Sequence, residues 1–201
     1  MADKTKKFYF VRHGETNRNT KGKLPGGENT ADEPLNEKGV AQAKDAGKEI
    51  KLASFGRIIG TFSSPIKRAE ETAINIIKTF SPGLSLPELH DLIQYDSRLR
   101  EVDFGKLTGK SWDEIAKLHP NENLEEKYRD QDYDFGEYHG DSYEEVKKRL
   151  YEFIRDLKEK YLGTDVLVVT HAGVIRVLYK HEKGEIFETP PPNGSVHIFE
   201  F

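Results

Sequence analysis

Two short apolar runs, Phe8-Tyr9-Phe10-Val11 near one end and Val166-Leu167-Val168-Val169 near the other, each lead straight into a histidine. Arg12-His13-Gly14 follows the first and Thr170-His171-Ala172-Gly173 the second. Uninterrupted aromatic and β-branched runs of this length read as strands buried on both faces, the habit of parallel sheets. In a parallel sheet the carboxyl ends of the strands share one edge, and open α/β sheets bind ligands there. Both strand-end imidazoles can therefore converge.

The remaining segments supply the helices that such a sheet needs. Ile58–Phe62 reads as a further strand, ending in Ser63-Ser64-Pro65, with Pro65 expected at the first position of a helix. That helix carries Ile66, Ala69, Ala73, Ile76 and Ile77 on one side. Asn36 is expected to cap a helix bearing Val40, Ala43, Gly47 and Ile50, and Ser142 a longer one bearing Val146, Leu150, Phe153, Ile154 and Leu157. Ser111–Leu118 suits a short helix with Trp112 and Ile115 inward, and 174–179 another helix. After the Pro190–Pro192 run a final strand is expected over 195–201.

Arg12–Pro34 is rich in Gly, Asn and Pro and reads as loop, with Pro25-Gly26-Gly27 its sharpest turn. Residues 86–99 read as an extended segment, and 121–141, polar, acidic and aromatic with little periodicity, as an insertion or cap. The expected architecture is one domain over 1–201: a three-layer α/β/α sandwich with a mostly parallel central sheet and a small cap insertion around 119–141.

The 201 residues suffice for one well-buried core. With 31 basic and 35 acidic residues, the charge makes no case for nucleic acid or an anionic membrane as partner; Lys4, Lys6 and Lys7 are too few for a basic arm. The absence of cysteine excludes disulfides, thiolate nucleophiles and cysteine-based zinc sites. No apolar stretch approaches the roughly 20 residues of a membrane span, and Met1 is followed by polar residues rather than a signal core. A cytoplasmic monomer or homodimer is expected.

At the shared sheet edge, Arg12 can hold a phosphate in two-pronged fashion while a neutral imidazole attacks phosphorus. Ser64-Pro65-Ile66-Lys67-Arg68 leaves another strand and adds Arg68 from the first turn of a helix. Three strand ends thus supply residues compatible with one phosphate.

Six ordered motifs carry a resemblance over nearly the whole chain. Arg12-His13-Gly14-Glu15-Thr16 with Asn19 is similar to RHGETxxN. Pro34-Leu35-Asn36-Glu37-Lys38-Gly39 with Ala41-Gln42-Ala43 is similar to PLTxxGxxQA, with Asn36 in place of Thr. Ser63-Ser64-Pro65-Ile66-Lys67-Arg68-Ala69 with Thr72-Ala73 resembles SSPLxRAxxTA, and Leu99-Arg100-Glu101 with Phe104-Gly105 resembles LxExxFG. Gly140-Asp141-Ser142 is similar to GES, and Val169-Thr170-His171-Ala172-Gly173 to VxHGG/A. The chain resembles the histidine phosphatase, or phosphoglycerate mutase-like, superfamily.

That resemblance implies roles. His13 becomes the nucleophile that forms a phosphohistidine; Arg12, Arg68 and His171 hold the phosphoryl group; Asn19 hydrogen-bonds it; Glu101 is the general acid and base. Gly26, in the Pro25-Gly26 loop, and Ala172 are expected to bind substrate. No metal and no other cofactor is implied, and the partner is a small phosphorylated metabolite. Positioning and charge complementarity supply most of the catalysis of phosphoryl transfer. Two guanidiniums beside His13 are expected to keep it neutral.

A phosphatase acting on monoesters is the favoured activity. The alternatives are a phosphoglycerate mutase and a non-catalytic phosphate-binding module that keeps the fold. Typical mutases resemble LNERHYG after the acid, whereas Val102 follows Glu101 here. Between Asn121 and Glu145 ten acids face only Lys127 and Arg129, so a cap lying over the pocket would oppose a second anionic group.

His90, His119, His139, His181 and His197 lack metal-ligand spacing and read as surface residues, His139 with an alternative place against substrate. Tyr128, Tyr133, Phe135 and Tyr138 either line a pocket mouth or pack the insertion; Trp112 reads as core. Asp130, Asp132 and Asp134 lack the central Gly and terminal Glu of a calcium loop.

Overall fold

A computed structural model describes residues 7–25, 33–54, 58–161 and 164–201. Five strands, β1 (Lys7–Arg12), β2 (Ile58–Ser63), β3 (Ile93–Tyr95), β4 (Asp165–Thr170) and β5 (Val196–Glu200), form one sheet in the order β3-β2-β4-β1-β5. All neighbours are parallel except β5, which runs antiparallel to β1. Seven α-helices are described: α1 (Glu37–Ser54), α2 (Lys67–Phe80), α3 (Leu86–Asp91), α4 (Trp112–Leu118), α5 (Leu124–Arg129), α6 (Tyr143–Lys160) and α7 (Ala172–Lys183).

Period-two alternation decides the layers. Phe8, Phe10, Val166 and Val168 pack with Leu150 and Phe153 of α6 and Val174 and Val177 of α7. Tyr9, Val11, Leu167 and Val169 pack on the other face with Ala46 and Ile50 of α1 and Ala69, Ala73 and Ile76 of α2. The result is an α/β sheet sandwiched between helices, as expected. The first glycine after β1 is required for this packing: a Cβ on Gly14 would lie 2.3 Å from the carbonyl oxygen of Gly39, so loop and α1 touch backbone to backbone.

Four local expectations need correction. Residues 86–99 are not one extended segment but α3, β3 and a 3-10 turn at Ser97–Leu99. The helical start is set by Ser85, whose N–H and hydroxyl both donate to Glu88 Oε2 (2.8 and 2.6 Å), with Pro87 in the first turn. Pro65 lies outside α2 rather than at its first position: Ile66 is the N-cap, and its carbonyl accepts from Glu70 N–H at 3.1 Å. The helix expected at 174–179 extends from Ala172 to Lys183 and stops at Gly184, whose φ of +67° suits glycine. His197 is buried, not a surface residue: it stands opposite Phe10 on β5, and its ring nitrogens meet Tyr179 Oη at 3.0 Å and Ser195 Oγ at 2.7 Å.

Little periodicity in 121–141 reflects an element too short to show it. Six-residue α5 buries Leu124 and Tyr128, and Tyr133 and Phe135, stacked at 5.1 Å, join the same core as Phe8 and Phe153. Among the described residues no helix is long and apolar enough to cross a membrane.

Candidate active site

The register of β1 and β4 sets Arg12 beside Thr170, and His13 N–H donates to the Thr170 carbonyl at 2.9 Å. The next residues are the two histidines, and their rings come together with centroids 5.1 Å apart. His13 is held in one tautomer. Its Nδ1–H donates to the Gly14 carbonyl (2.8 Å), and its Nε2 lone pair accepts from Arg68 Nε–H (3.2 Å). Nε2 therefore carries the ring's lone pair. Burial holds the His13 pKa well below the ordinary imidazole range, with Arg68 and Arg12 acting in the same direction. The sequence pointed to the guanidiniums; desolvation is the larger cause.

His171 is buried too, and burial followed by Arg68 and His13 keeps it neutral. Its Nε2 lies 2.9 Å from Ser64 Oγ at the end of β2. Among the described residues, His171 Nδ1, Arg12 Nε and Arg68 Nη2 are buried nitrogens with no hydrogen-bond partner. Orphaned buried donors cost about 1–3 kcal/mol each, and more when charged. Three of them around one imidazole form a place for an anion.

Glu101 is 2% exposed, on the segment between β3 and α4. Its Oε1 accepts from Val102 N–H and Gly173 N–H, both at 3.0 Å, which leaves Oε2 to exchange a proton. Gly173 sits in the first turn of α7, so the carboxylate also meets that helix's positive end. A Cβ at Gly173 would stand 2.5 Å from Glu101 Oε1 and 2.5 Å from Val102 Cγ2.

A cleft of about 370 Å³ joins these groups. Arg12, His13, Glu101, Asn19 and Ala172 line it, while Arg68 and His171 are buried against His13 and do not. Gly26 lies outside the described residues. Asn19 Oδ1 is taken by Thr16 N–H (3.0 Å), the Thr16 hydroxyl (3.2 Å) and Asn193 Nδ2 (3.3 Å), so its amide nitrogen is the face left for a ligand. None of the ten acids of 121–145 lines this cleft. Asp141 accepts instead from Arg100 (3.1 Å) and Arg149 (3.3 Å), Glu122 from Tyr138 and His119, and Glu145 from Ser142 N–H.

Three contributors went unread in the sequence. Arg12 Nη1 donates to the Pro191 carbonyl, and Asn193 Nδ2 donates to the His13 carbonyl at 3.0 Å, so the Pro190–Gly194 turn fixes the strand end. Arg149 of α6 donates to the carbonyls of Arg98 (2.6 Å), Arg100 (2.7 Å) and Glu101 (3.2 Å). An arginine among Val146, Leu150 and Phe153 on the apolar side of α6 was the available signal. The third, Ser64, stood inside a quoted motif without a role.

The sequence model of the histidine phosphatase superfamily (branch 1) matches residues 8–201. A metal-independent phosphoserine phosphatase of Arabidopsis thaliana is 33% identical over 172 residues, which cover 85% of this chain and 66% of that one. A 2,3-bisphosphoglycerate-dependent phosphoglycerate mutase of Streptococcus pneumoniae (strain CGSP14) is 32% identical over 97% of this chain and 93% of its own length. Among solved structures, YhfR of Bacillus stearothermophilus has a TM-score of 0.76 at 28% identity, covering 97% of this chain and 91% of that one. Phosphoglycerate mutase from Bacillus anthracis str. Sterne has a TM-score of 0.77 at 25% identity, over 100% of this chain and 91% of that one.

Proposed function

Because the chain belongs to the histidine phosphatase superfamily, branch 1, and its relatives include both a phosphatase and a mutase, we propose that it is a phosphomonoester hydrolase working through phosphohistidine on His13. The observation that carries this reading is the set of unpartnered nitrogens, Arg12 Nε, Arg68 Nη2 and His171 Nδ1, near a neutral His13 whose Nε2 accepts from Arg68 Nε–H. They meet the phosphoryl oxygens, and the Asn19 amide adds a hydrogen bond. As His13 Nε2 forms its bond to phosphorus, the ester P–O bond breaks and the leaving oxygen takes the proton of Glu101. Water then attacks the phosphohistidine, gives its proton to Glu101, and phosphate leaves with His13 neutral again. The two arginines supply the charge that a metal would otherwise provide, and neutral His171 adds a polar contact.

Hydrolysis is favoured over mutation by the cations in reach. A mutase must grip a second acidic group, and besides Arg12 the cleft offers Lys23, which is already bound to Glu114 at 2.5 Å. Val102, buried against Gly173, occupies the position where typical mutases resemble arginine.

The test is a phosphate-release screen over monoesters with a mutase assay on 3-phosphoglycerate alongside, and denaturation after brief exposure to labelled substrate. Expected are release of phosphate, acid-labile and alkali-stable label on the protein, and no label in His13→Ala. Formation of 2-phosphoglycerate without net phosphate release would make it a mutase; label surviving in His13→Ala would remove His13 from the role. Neither turnover nor label would leave a binding module.

A further inference from the structure

Tyr128 comes from α5, in the stretch between β3 and α6, yet it lines the cleft that holds His13. Its ring is fixed on several sides. Phe104, Tyr133 and Trp112 stand at 5.1, 5.3 and 5.6 Å between ring centroids. Against the ring lies Arg176 of α7, a buried guanidinium that the proposed reaction does not use, its carbon 4.9 Å from the centroid. Arg176 is itself anchored, since Nη2 donates to the carbonyls of Arg129 (2.9 Å) and Phe187 (2.8 Å). A tyrosine packed in this way holds its hydroxyl in one place.

That place is beside the acid. A Cβ on Gly173 would lie 2.5 Å from Glu101 Oε1 and 3.3 Å from Tyr128 Oη, so both oxygens approach one point at the start of α7. Ala172, the preceding residue, lines the cleft with Glu101 and Tyr128. Burial, then Glu101, holds the phenol above its ordinary pKa, so Oη keeps its proton and can donate it in a hydrogen bond. A leaving group whose ester oxygen meets Glu101 therefore has this donor alongside it.

Charge narrows what the donor meets. Lys23, on the same cleft, is bound to Glu114 at 2.5 Å, and the unpartnered nitrogens of Arg12 and Arg68 are committed to the phosphoryl group. The cleft has no spare cation for a second anion, so an uncharged acceptor fits it best.

We propose that Tyr128 is a specificity-determining residue: its hydroxyl donates to an uncharged oxygen of the leaving group, and the substrates are monoesters carrying a hydroxyl, ether or carbonyl oxygen close to the phosphorylated one. The proposal rests on the hydrolase reading above and names its substrate class. Glu101 gives its proton to the ester oxygen; Tyr128 holds the neighbouring oxygen and transfers no proton.

The experiment compares kcat/KM for 2-methoxyethyl phosphate and butyl phosphate, chains of equal length that differ by an ether oxygen in place of a methylene. The ratio of the two is measured in the wild-type protein and in Tyr128→Phe, so that the intrinsic difference between the leaving groups cancels. Tyr128→Phe keeps the ring and is expected to lower the ratio about fivefold, the scale of one net hydrogen bond. The loss should fall on the ether ester, with butyl phosphate within about twofold of wild type. Tyr133→Phe is the control: it removes a hydroxyl from the same aromatic cluster, buried without a partner and away from the cleft, and should leave the ratio unchanged. An unchanged ratio in Tyr128→Phe, or an equal loss on both esters, overturns the proposal. So does a Tyr133→Phe ratio that falls as far.

If the wild-type protein hydrolyses neither ester, the hydrolase reading fails and the hydroxyl is judged by binding. Calorimetry with 3-methoxypropylphosphonate and pentylphosphonate then gives the same ratio as dissociation constants. Tyr128→Phe should weaken the ether ligand alone by about fivefold; equal dissociation constants in the two proteins overturn the contact.

Discussion

Gly173 lets a carboxylate rest on a helix start. A methyl group there would stand 2.5 Å from Glu101 Oε1, too close for either atom to stay, and would push the acid off the Gly173 N–H. Gly173→Ala is expected to lower turnover of a poor-leaving-group ester by about 10²-fold or more, the scale of general acid–base help. Orthophosphate affinity, set by Arg12 and Arg68, should stay within about twofold. An equal loss in both would place the damage in the anion site instead.

His13 and His171 make a second residue-scale prediction. Both pKa values are lower in the folded chain than the roughly 6.5 of an unfolded imidazole, chiefly through burial. The unfolded state therefore binds protons first as pH falls. Stability from these rings is complete above about pH 6.5 and declines below it, by about 1.4 kcal/mol per pH unit for each ring. His197, lowered to about 4 by burial and Lys183, adds to the slope. Urea denaturation at pH 7.5 and 5.5 should show the decline, and His13→Gln should reduce it by one ring's share. An unchanged slope in that variant would mean His13 is not neutral in the fold.

At the scale of elements, α6 holds the acid-bearing segment through one side chain. Arg149 serves three carbonyls of 98–101 and Asp141, which in turn accepts from Asp103 N–H at 3.1 Å. Removing it leaves Asp141 partly unpaired and buried carbonyls unmet, and Arg149→Ala is expected to cost about 3–5 kcal/mol. Arg149→Lys keeps the charge but lacks the planar fork. It should remain folded with kcat down about tenfold or more and KM little changed, since misplaced catalytic groups cost rate before binding. A lysine variant with full kcat would make the contact purely structural.

For the whole molecule, the sheet edge stores unsatisfied donors that an anion can relieve. Orthophosphate at a hundred times its dissociation constant should stabilise the protein by about 2.7 kcal/mol. For a chain of this size that corresponds to a Tm rise of about 5–10 °C. Calorimetry with and without phosphate measures it. Arg68→Ala, which loses the group against His13 Nε2, should abolish most of the rise; a wild-type Tm indifferent to phosphate would refute the anion site.

Much of this was written in local patterns. The runs 8–11 and 166–169 specified strands because buried β-structure needs no partner information to be recognised, and Asn36 and Ser142 announced their helices because a cap is a short-range hydrogen bond. Arg12, His13 and His171 were legible because parallel strands must deliver their ends to one edge. Other features depended on contacts between distant segments. Arg149 reaches back about fifty residues, Pro191 and Asn193 about 180, and Tyr128 becomes a cleft wall only once Phe104 and Trp112 stand beside it. The same holds for the ten acids of 121–145: composition counts them, but packing turned several toward Arg100, Arg149, Ser142 and His119 and none into the cleft. A sequence records which charges exist; which of them face one another is decided when the chain folds.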